Sequence, residues 1–389
     1  EGGGSSHVNA HQVVTPLDAA PKNSEYQPGY SLDDAPVDAQ KALDLAKERD
    51  VVVFFAGFPE AMETEGFDKD TISLPANQTD LLQEILKVNK NVVVVLQNGS
   101  VVAMPWADQV PAIVETYLAG EAVGDATWDI LNGKVNPSGK LAESFPLRLS
   151  DNPTYGTFDA NHDDENYYED IYVGYRYYDL HQQAVRFPFG HGLSYTTFDY
   201  SNLSVTEKGD NVIVNFRIRN TGDVAGKAVP QIYVGNHTSK VDTPVRELRQ
   251  FTKVDLKPGE SQQMILVLDR RAFSWYNTKE ARWEADNGQY GISVGESSRD
   301  LRLKTNFELT IGTDPQVEIS GDTYVGELLA LKSDKVEKAL ADAGIKQMID
   351  DAINSQGGGA AIFENIPLRA LTMMGISQEQ IDKFLNEVN

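Results

Sequence analysis

The spacing of apolar residues changes along the chain, and the change predicts where one kind of structure gives way to another. Continuous apolar runs at residues 51–57 and 92–96 have the length and composition of buried strands, and residues 112–117 are predicted as a third strand. Residues 140–145 are predicted as a last edge strand. Strands that are apolar along their whole length and are separated by helical patterns predict a largely parallel sheet, covered by helices on both faces.

Helices are predicted where apolar residues recur at intervals of three and four. The pattern covers residues 39–46, 81–86 and about 121–131. Asn77 and Asp80 resemble a capping box and predict the start of the second helix.

After residue 193 the apolar residues alternate with a period of two. The predicted strands lie at residues 212–218, 231–234, 264–268 and 291–294, and turn residues lie between them at 220–223, 257–260 and 286–288. Short strands at this spacing predict a β-sandwich of the immunoglobulin or fibronectin type III sort. The chain contains no cysteine, so the immunoglobulin disulfide is absent.

Helical spacing returns in the last segment, where residues 328–340 are amphipathic and the glycines at 357–359 predict a hinge or loop. Ser377 and Gln380 predict a capping box for a final helix. The predicted fold is therefore α/β plus all-β. Its parts are a mostly parallel α/β sandwich (1–150), an aromatic linker (151–192), a fibronectin type III-like β-sandwich (193–311) and a small helical extension (312–389).

Tyrosines cluster in the linker around one arginine. Tyr175, Arg176 and Tyr177 belong to a run of aromatic residues that begins at Tyr172. Such a cluster suits stacking on the face of a sugar. It suits equally a seam between domains, where the ring is buried and the hydroxyl group stays in water.

Charge and composition exclude several classes of function. Asp and Glu number 58 against 34 Lys and Arg, which gives a net charge of -24. So acidic a chain is not expected to bind nucleic acid or anionic membranes, but it is compatible with a neutral substrate. No run of eighteen apolar residues predicts a membrane span, and no signal-peptide pattern opens the chain.

The absence of cysteine excludes disulfides, thiolate nucleophiles and cysteine metal sites. It fits a cytosolic protein without establishing one. The six histidines are scattered, so neither a metal site nor a cofactor is expected. The first six residues do not resemble a natural beginning, and we interpret the chain as a piece of a longer polypeptide.

The most informative stretch is the acidic loop, residues 63–68, which follows the first predicted strand. Its three carboxylates are Glu63, Glu65 and Asp68. Open α/β sheets place ligand-handling groups at this end of a strand. A carboxyl group that is partly shielded from water there acquires a raised pKa and acts as a proton donor. The alternative is an ordinary solvated loop, since most exposed carboxylates have no special role.

Six motifs in one order resemble the C-terminal half of glycoside hydrolase family 3, the β-glucosidases and their relatives. They cover roughly residues 1–311. They are Gly3-Gly4-Ser5-Ser6; the acidic loop with Lys69, Leu74 and Pro75; residues 136–141; residues 172–178; residues 187–195; and residues 245–248 with Phe251 and 256–260.

The resemblance implies an active site divided between two domains. In this family a (β/α)₈ barrel supplies an aspartate nucleophile, usually in a Ser-Asp-Trp context, and the following α/β domain supplies the general acid/base. This chain contains neither the triplet nor a barrel-sized repeat. The resemblance therefore implies that the chain is an incomplete portion, inactive alone. The implied partners are a barrel, in the same parent polypeptide or on a separate chain, and a β-glucoside or short β-glucan oligosaccharide. The oligomeric state stays open.

The resemblance also assigns roles within the acidic loop. The Glu-Gly-aromatic-Asp form of many bacterial members selects Glu65 as the acid/base, whereas the plant form Glu-Thr-Xaa-Gly selects Glu63. We favour Glu65 and expect Glu63 to form an ion pair or to order the loop. Asp68 and Lys69 are expected to pair and to support the loop. Tyr175, Arg176 and Tyr177 are weaker candidates for the seam near the site or for contact with substrate.

Two other functions remain as alternatives. A non-catalytic carbohydrate-binding or adhesion module is suggested by the β-sandwich and the tyrosine cluster. A nucleotide-binding domain is compatible with a parallel sheet. Its usual signatures are missing, because no Gly-x-Gly-x-x-Gly follows a strand and no Walker sequence occurs.

Overall fold

The computed structural model describes residues 7–33, 35–66, 68–158, 164, 166–239, 241–278, 280–312, 319–331, 333–353 and 363–388. The glycine run at 2–4 and the predicted hinge at 357–359 lie outside these residues. The contacts divide the chain into two units, Glu1–Thr313 and Asp314–Asn389.

The first unit begins with the predicted parallel sheet. Its elements are α1 (Ala39–Glu48), β1 (Val52–Gly57), α2 (Ala76–Val88), β2 (Val92–Gln97), β3 (Ala112–Glu115) and α3 (Val123–Leu131). The strand order is β1-β2-β3, and both pairings are parallel. The apolar composition explains the arrangement, because Val92, Val94, Val95 and Leu96 of the central strand are fully buried.

The predicted capping box of α2 is wrong. The helix begins after Pro75, and Asn77 lies inside its first turn. The Asn77 side chain instead donates to the carbonyl of Ser31 at 2.9 Å. The next residue, Gln78, is completely buried. Its amide accepts from Gly57 N at 3.0 Å and donates to Gly57 O at 2.8 Å, which fixes the end of β1.

Gly57 also lies very close to Gln97 of β2. A Cβ atom at this position would lie 1.9 Å from the carbonyl oxygen of Gln97, so only glycine permits the approach. The chain that leaves β1 returns to the sheet at Ser73. Ser73 forms a parallel bridge to Ala103, and Ala103 N donates to Ile72 O at 2.8 Å.

The predicted edge strand at 140–145 is mostly irregular. Only β4 (Phe145–Pro146) pairs, and its partner is β5 (Val185–Phe187). Leu141 instead exchanges backbone hydrogen bonds with the chain near residue 190, donating to His191 O and accepting from Gly190 N, both at 2.8 Å. The segment between β4 and β5 includes a 3-10 helix (Leu149–Asp151) and the short helix α4 (Tyr175–Leu180).

The β-sandwich follows as predicted. Its strands are β6 (Phe198–Lys208), β7 (Asn211–Asn220), β8 (Gly226–Ala228), β9 (Gln231–Asn236), β10 (Glu247–Phe251), β11 (Val254–Leu256), β12 (Ser261–Asp269), β13 (Ser274–Asn277), β14 (Arg282–Ala285), β15 (Gly288–Gly295) and β16 (Leu301–Leu309). The main sheets, β10-β9-β15-β16 and β12-β7-β6, are antiparallel. Their alternating apolar residues form one core that includes Val214, Phe216, Ile232 and Ile292.

One fully buried side chain secures the turn after β7. The Asn220 amide donates to the carbonyls of Val224 and Leu256, each at 2.9 Å. Its oxygen accepts from Thr196 Oγ1 at 2.6 Å and from Gly222 N at 3.1 Å. All the hydrogen-bonding capacity of the amide is used, as a buried polar group requires.

Asn220→Ala is therefore expected to destabilise the first unit by about 3 kcal/mol, because it leaves buried donors and acceptors without partners. Urea unfolding followed by tryptophan fluorescence measures the change. Asn306→Ala is the control, since Asn306 is exposed on β16, and it is expected to shift stability by less than about 0.5 kcal/mol. Equal effects of the two substitutions would contradict this interpretation of Asn220.

The second unit is helical. It contains α5 (Val325–Ala330), α6 (Asp334–Asp342), α7 (Lys346–Ile353), a 3-10 helix (Leu368–Met374) and α8 (Gln378–Val388). The amphipathic stretch at 328–340 is divided between two helices, since α5 ends at Ala330 and Ser333 caps α6 by accepting from Val336 N. The capping box of the last helix is confirmed: Gln380 N donates to Ser377 Oγ at 3.2 Å, and Ser377 N donates to Gln380 Oε1 at 3.0 Å. In the part of the chain that is described, no helix has both the length and the apolar character needed to cross a membrane.

Candidate active site

The loops that follow β1 and β2 come together at the carboxyl edge of the parallel sheet. The chain after β1 forms a short 3-10 helix, Glu60–Met62, and then reaches Glu63. The chain after β2 turns at Asn98, Gly99 and Ser100. Because β1 and β2 are adjacent and parallel, their carboxyl ends lie side by side, and the acidic loop meets the turn of the neighbouring strand.

Glu63 is tightly held in this arrangement. Gly99 N donates to its two carboxylate oxygens at 2.8 and 3.0 Å. Ser100 donates to Glu63 Oε1 from its backbone nitrogen at 3.1 Å and from its hydroxyl group at 3.0 Å. A Cβ atom at Gly99 would lie 3.3 Å from Glu63 Oε2, so glycine suits the close approach. We call Glu63 together with Gly99 and Ser100 the loop clamp.

Lys69 completes the loop clamp, and its ion pair differs from the predicted one. Its ammonium group lies 3.1 Å from Glu63 Oε1, rather than pairing with Asp68. It also donates to Ser100 Oγ at 2.6 Å and lies 3.6 Å from the centre of the Phe58 ring. The expected support of the loop by a Lys69–Asp68 pair is therefore wrong, since Asp68 is exposed and Lys69 reaches inward to Glu63.

Glu65 lies two residues beyond Glu63, but its surroundings differ. The residue is exposed, whereas the Glu63 side chain is only 16% exposed. The next residue, Gly66, adopts a left-handed backbone conformation with a φ of 82°. A side chain at this position would be strained, so the glycine permits the sharp turn that follows Glu65. Phe67 lies outside the described residues.

Sequence reasoning missed a partly buried carboxyl group next to the loop clamp. Glu115 ends β3, and it accepts from Tyr117 N at 2.9 Å and from Asn98 Nδ2 at 3.4 Å. Burial raises the pKa of Glu115 to about 7, and the nearby charges of Glu143 and Glu63 act in the same direction. A glutamate at the end of an otherwise apolar strand was the signal in the sequence that could have identified it.

Tyr117 and Glu143 extend this buried group of polar side chains. Tyr117 has a φ of 49°, an uncommon value for a residue other than glycine. Its hydroxyl group donates to Glu143 Oε1 at 3.3 Å. Burial also raises the pKa of Glu143. Strained residues persist where several contacts hold them, and they are often found at functional sites.

A cleft of about 340 Å³ opens beside these groups. Residues from the ends of all three strands contribute to its wall, among them Phe58, Glu63, Gln97 and Tyr117. Within the described residues, no group of three or more His, Cys, Asp or Glu side chains is arranged to hold a metal ion.

The linker residues Tyr175, Arg176 and Tyr177 contact other parts of the first unit. Tyr175 is buried and stacks on Phe189 with the ring centres 4.6 Å apart. Its hydroxyl group accepts from Leu248 N of β10 at 2.9 Å. Arg176 forms an ion pair of 2.9 Å with Glu247, also on β10. Tyr177 packs on His181 of its own segment, with the ring centres 4.4 Å apart.

Comparison with known proteins agrees with this architecture of a parallel α/β sheet followed by a β-sandwich. Residues 1–195 match the glycosyl hydrolase family 3 C-terminal domain, and residues 228–298 match a fibronectin type III-like domain. The chain belongs to glycoside hydrolase family 3.

Curated relatives match along nearly the whole chain. The chain is 39% identical over 409 residues to the thermostable β-glucosidase B of Acetivibrio thermocellus, covering 100% of the chain and 54% of that protein. It is 38% identical to the exo-α-(1→6)-L-arabinopyranosidase of Bifidobacterium breve, covering 99% of the chain and 52% of that protein. The chain thus spans about half the length of these relatives.

Solved structures match as well. The family 3 β-glucosidase of Bifidobacterium adolescentis aligns with a TM-score of 0.77 at 39% identity, covering 84% of this chain and 49% of that one. A β-glucosidase from Kluyveromyces marxianus in complex with glucose aligns with a TM-score of 0.68 at 37% identity, covering 71% and 34%.

Proposed function

We propose that this chain supplies the general acid/base of a retaining β-glycosidase, and that Glu65 is the residue responsible. The supporting observation is the contrast within the acidic loop. The Glu63 side chain is only 16% exposed and lies beneath the turn after β2, whereas Glu65 is exposed two residues further on. A general acid must reach the leaving oxygen of a substrate and must exchange its proton during the reaction.

The proposed roles of the two glutamates follow from their contacts. The Glu63 carboxylate accepts hydrogen bonds from backbone and side-chain donors and balances the charge of Lys69. A carboxylate that is held by several donors is well suited to fix a loop and poorly suited to move a proton. Glu63 therefore acts as the loop-ordering group, and Glu65 projects from the loop that it orders.

The remaining part of the site lies outside this chain. Retaining hydrolysis needs two carboxyl groups about 5–5.5 Å apart, one that attacks the anomeric carbon and one that protonates the leaving oxygen. We propose that an aspartate nucleophile on a (β/α)₈ barrel, in the parent polypeptide or on a separate chain, faces Glu65. The chain alone is then inactive.

The proposed substrate is a β-glucoside or a short β-glucan oligosaccharide, cleaved at the terminal non-reducing β-D-glucosyl residue. The names of the relatives support a glycoside in general, and several of them name β-glucosidases. The similar identity to an arabinopyranosidase indicates that the chain shared by these proteins does not by itself select the sugar.

Activity on an aryl β-glucoside tests the proposal. We expect no turnover by the chain alone, and turnover when it is combined with the part of the A. thermocellus β-glucosidase B that it does not match. That part alone is the control, and size-exclusion chromatography reports whether the two polypeptides associate. Substantial turnover by the isolated chain, or association without activity, would contradict the proposal.

The alternative of a non-catalytic carbohydrate-binding module loses its main support. It rested on the tyrosine cluster as a platform for a sugar, but Tyr175 and Tyr178 are 7% and 4% exposed. The rings of these two tyrosines pack inside the protein and offer no open face for stacking, and Tyr172 and Tyr177 are only partly exposed.

A further inference from the structure

We propose that Asn98 and Glu115 are positioning residues for the acidic loop, and that the proton on Glu115 keeps the loop clamp closed. This inference rests on the proposed function only in naming the loop as catalytic. The physical linkage between Glu115 and the loop clamp stands independently of that function, and it is tested separately below.

A continuous series of hydrogen bonds joins Glu115 to the loop clamp. Asn98 is completely buried, and its Nδ2 group donates both to Ser100 O at 2.9 Å and to Glu115 Oε2 at 3.4 Å. Ser100 in turn donates to Glu63 from its backbone nitrogen and its hydroxyl group. Asn98 is thus hydrogen-bonded both to the turn that binds Glu63 and to Glu115.

The turn at Gly99 and Ser100 is fixed through the Nδ2 group of Asn98. Among the described residues, Asn98 Oδ1 has no hydrogen-bond partner although it is buried. All the side-chain hydrogen bonds of Asn98 therefore come from Nδ2, whose two acceptors are the turn and Glu115. A change in the charge or position of the Glu115 carboxyl group therefore acts directly on Asn98 Nδ2, which fixes the turn.

The charges that face Glu115 are predominantly negative. Glu63 lies on the loop after β1, and Glu143 lies on the segment that precedes β4; both charges oppose ionisation of Glu115. The hydrogen bonds that Glu115 accepts from Tyr117 N and Asn98 Nδ2 favour ionisation, but removal from water outweighs them and leaves the pKa raised. Tyr117, at the end of β3, is hydrogen-bonded to Glu143. The cation on this side, Lys69, is already paired with Glu63.

Ionisation of Glu115 therefore has a structural consequence. With the proton on, Glu115 is neutral and the buried site contains no additional charge. With the proton off, a third carboxylate lies near Glu63 and Glu143 in a place that water reaches poorly, and exposure to solvent becomes favourable. Hydration of Glu115 withdraws a partner of Asn98, and the turn at Gly99 and Ser100 loosens its grip on Glu63.

Amide resonances of Gly99 and Ser100 in the intact chain test the linkage without any requirement for activity. Across pH 5 to 9, we expect both to titrate with a midpoint near the pKa of Glu115, about 7. In Glu115→Gln the titration should disappear, while Asp125→Asn, an exposed carboxylate on α3, should leave it unchanged. Invariant resonances in the unmodified chain, or the same midpoint in Glu115→Gln, would overturn the proposal.

A second measurement tests the positioning role in the chain combined with a barrel. Asn98→Ala is expected to lower kcat for a poor leaving group several-fold with little change in KM, and Glu115→Gln should move the alkaline limb of the pH–rate profile to higher pH. An unchanged alkaline limb would contradict the positioning role. If the resonances titrate as expected but Glu65→Ala leaves the activity intact, the linkage stands and the proposed function fails.

Discussion

Replacing Glu65 by Ala in the chain combined with its barrel is expected to lower kcat/KM for an alkyl β-glucoside by about 10²–10⁴, the usual contribution of a general acid. An alkyl alkoxide is a poor leaving group, so its departure requires a proton. A dinitrophenyl β-glucoside needs no such help, and its kcat/KM should stay within about tenfold of the unmodified enzyme. Steady-state kinetics on the two substrates measures the difference.

Azide provides a further check on this substitution, because it attacks a glycosyl-enzyme without a general base. Added azide should accelerate turnover of the dinitrophenyl substrate by Glu65→Ala and should yield a glucosyl azide. Equal losses on both substrates would contradict the role of Glu65.

Glu63→Ala is the matched comparison for Glu65→Ala. It removes the acceptor shared by Gly99, Ser100 and Lys69, and the loop loses its fixed position. We expect both substrates to slow by similar factors, because a displaced loop harms every substrate. If Glu63→Ala spares the activated substrate and Glu65→Ala does not, then Glu63 is the acid/base and our assignment is reversed.

The stability of the first unit is expected to fall as the pH rises from about 4.5 to 7, and Glu115 is expected to account for about 3 kcal/mol of this change. The pKa of Glu115 is 4.5 in the unfolded chain and about 7 in the folded one. Below pH 4.5 both states hold the proton. Between the two values the unfolded state ionises while the folded state does not, so the folded state is progressively disfavoured.

Glu115→Gln isolates this contribution. Other carboxyl groups also titrate, so the informative quantity is the difference in unfolding free energy between the variant and the unmodified chain. We expect that difference to shift in favour of the variant by about 3 kcal/mol from pH 4.5 to pH 8, as measured by urea unfolding. Asp125→Asn should show a nearly constant difference. A constant difference for Glu115→Gln as well would mean that Glu115 has an ordinary pKa.

Those parts of the fold that depend on local pattern could be predicted from the sequence. The fully apolar runs that became β1 and β2 have no polar face, and a strand buried on both sides is the arrangement that satisfies them. The alternation in β7 between buried and more exposed positions likewise indicated a sandwich. Ser377 and Gln380 cap a helix through contacts between residues three apart, which a sequence displays directly.

Several of the failures share the opposite property, since they depend on contacts between residues distant in the chain. Asn77 is no cap because it donates to Ser31, and Lys69 is drawn away from Asp68 by Glu63 and Ser100. Glu115 has a raised pKa because the fold shields it from water and places the charges of Glu143 and Glu63 nearby. Spacing along the sequence contains little information about such partners. The side chains of a site depend on these distant contacts more than on their neighbours in the sequence.

The anchoring of the acidic loop at both ends has a consequence for how such proteins diversify. Gln78 secures Gly57 before the loop, and the bridge from Ser73 to Ala103 secures the chain after it. The residues between these two points can change without altering the register of the sheet below, provided that Glu63 and Lys69 keep their contacts with the turn after β2. Sequence variation at this edge of the sheet is therefore compatible with an unchanged scaffold.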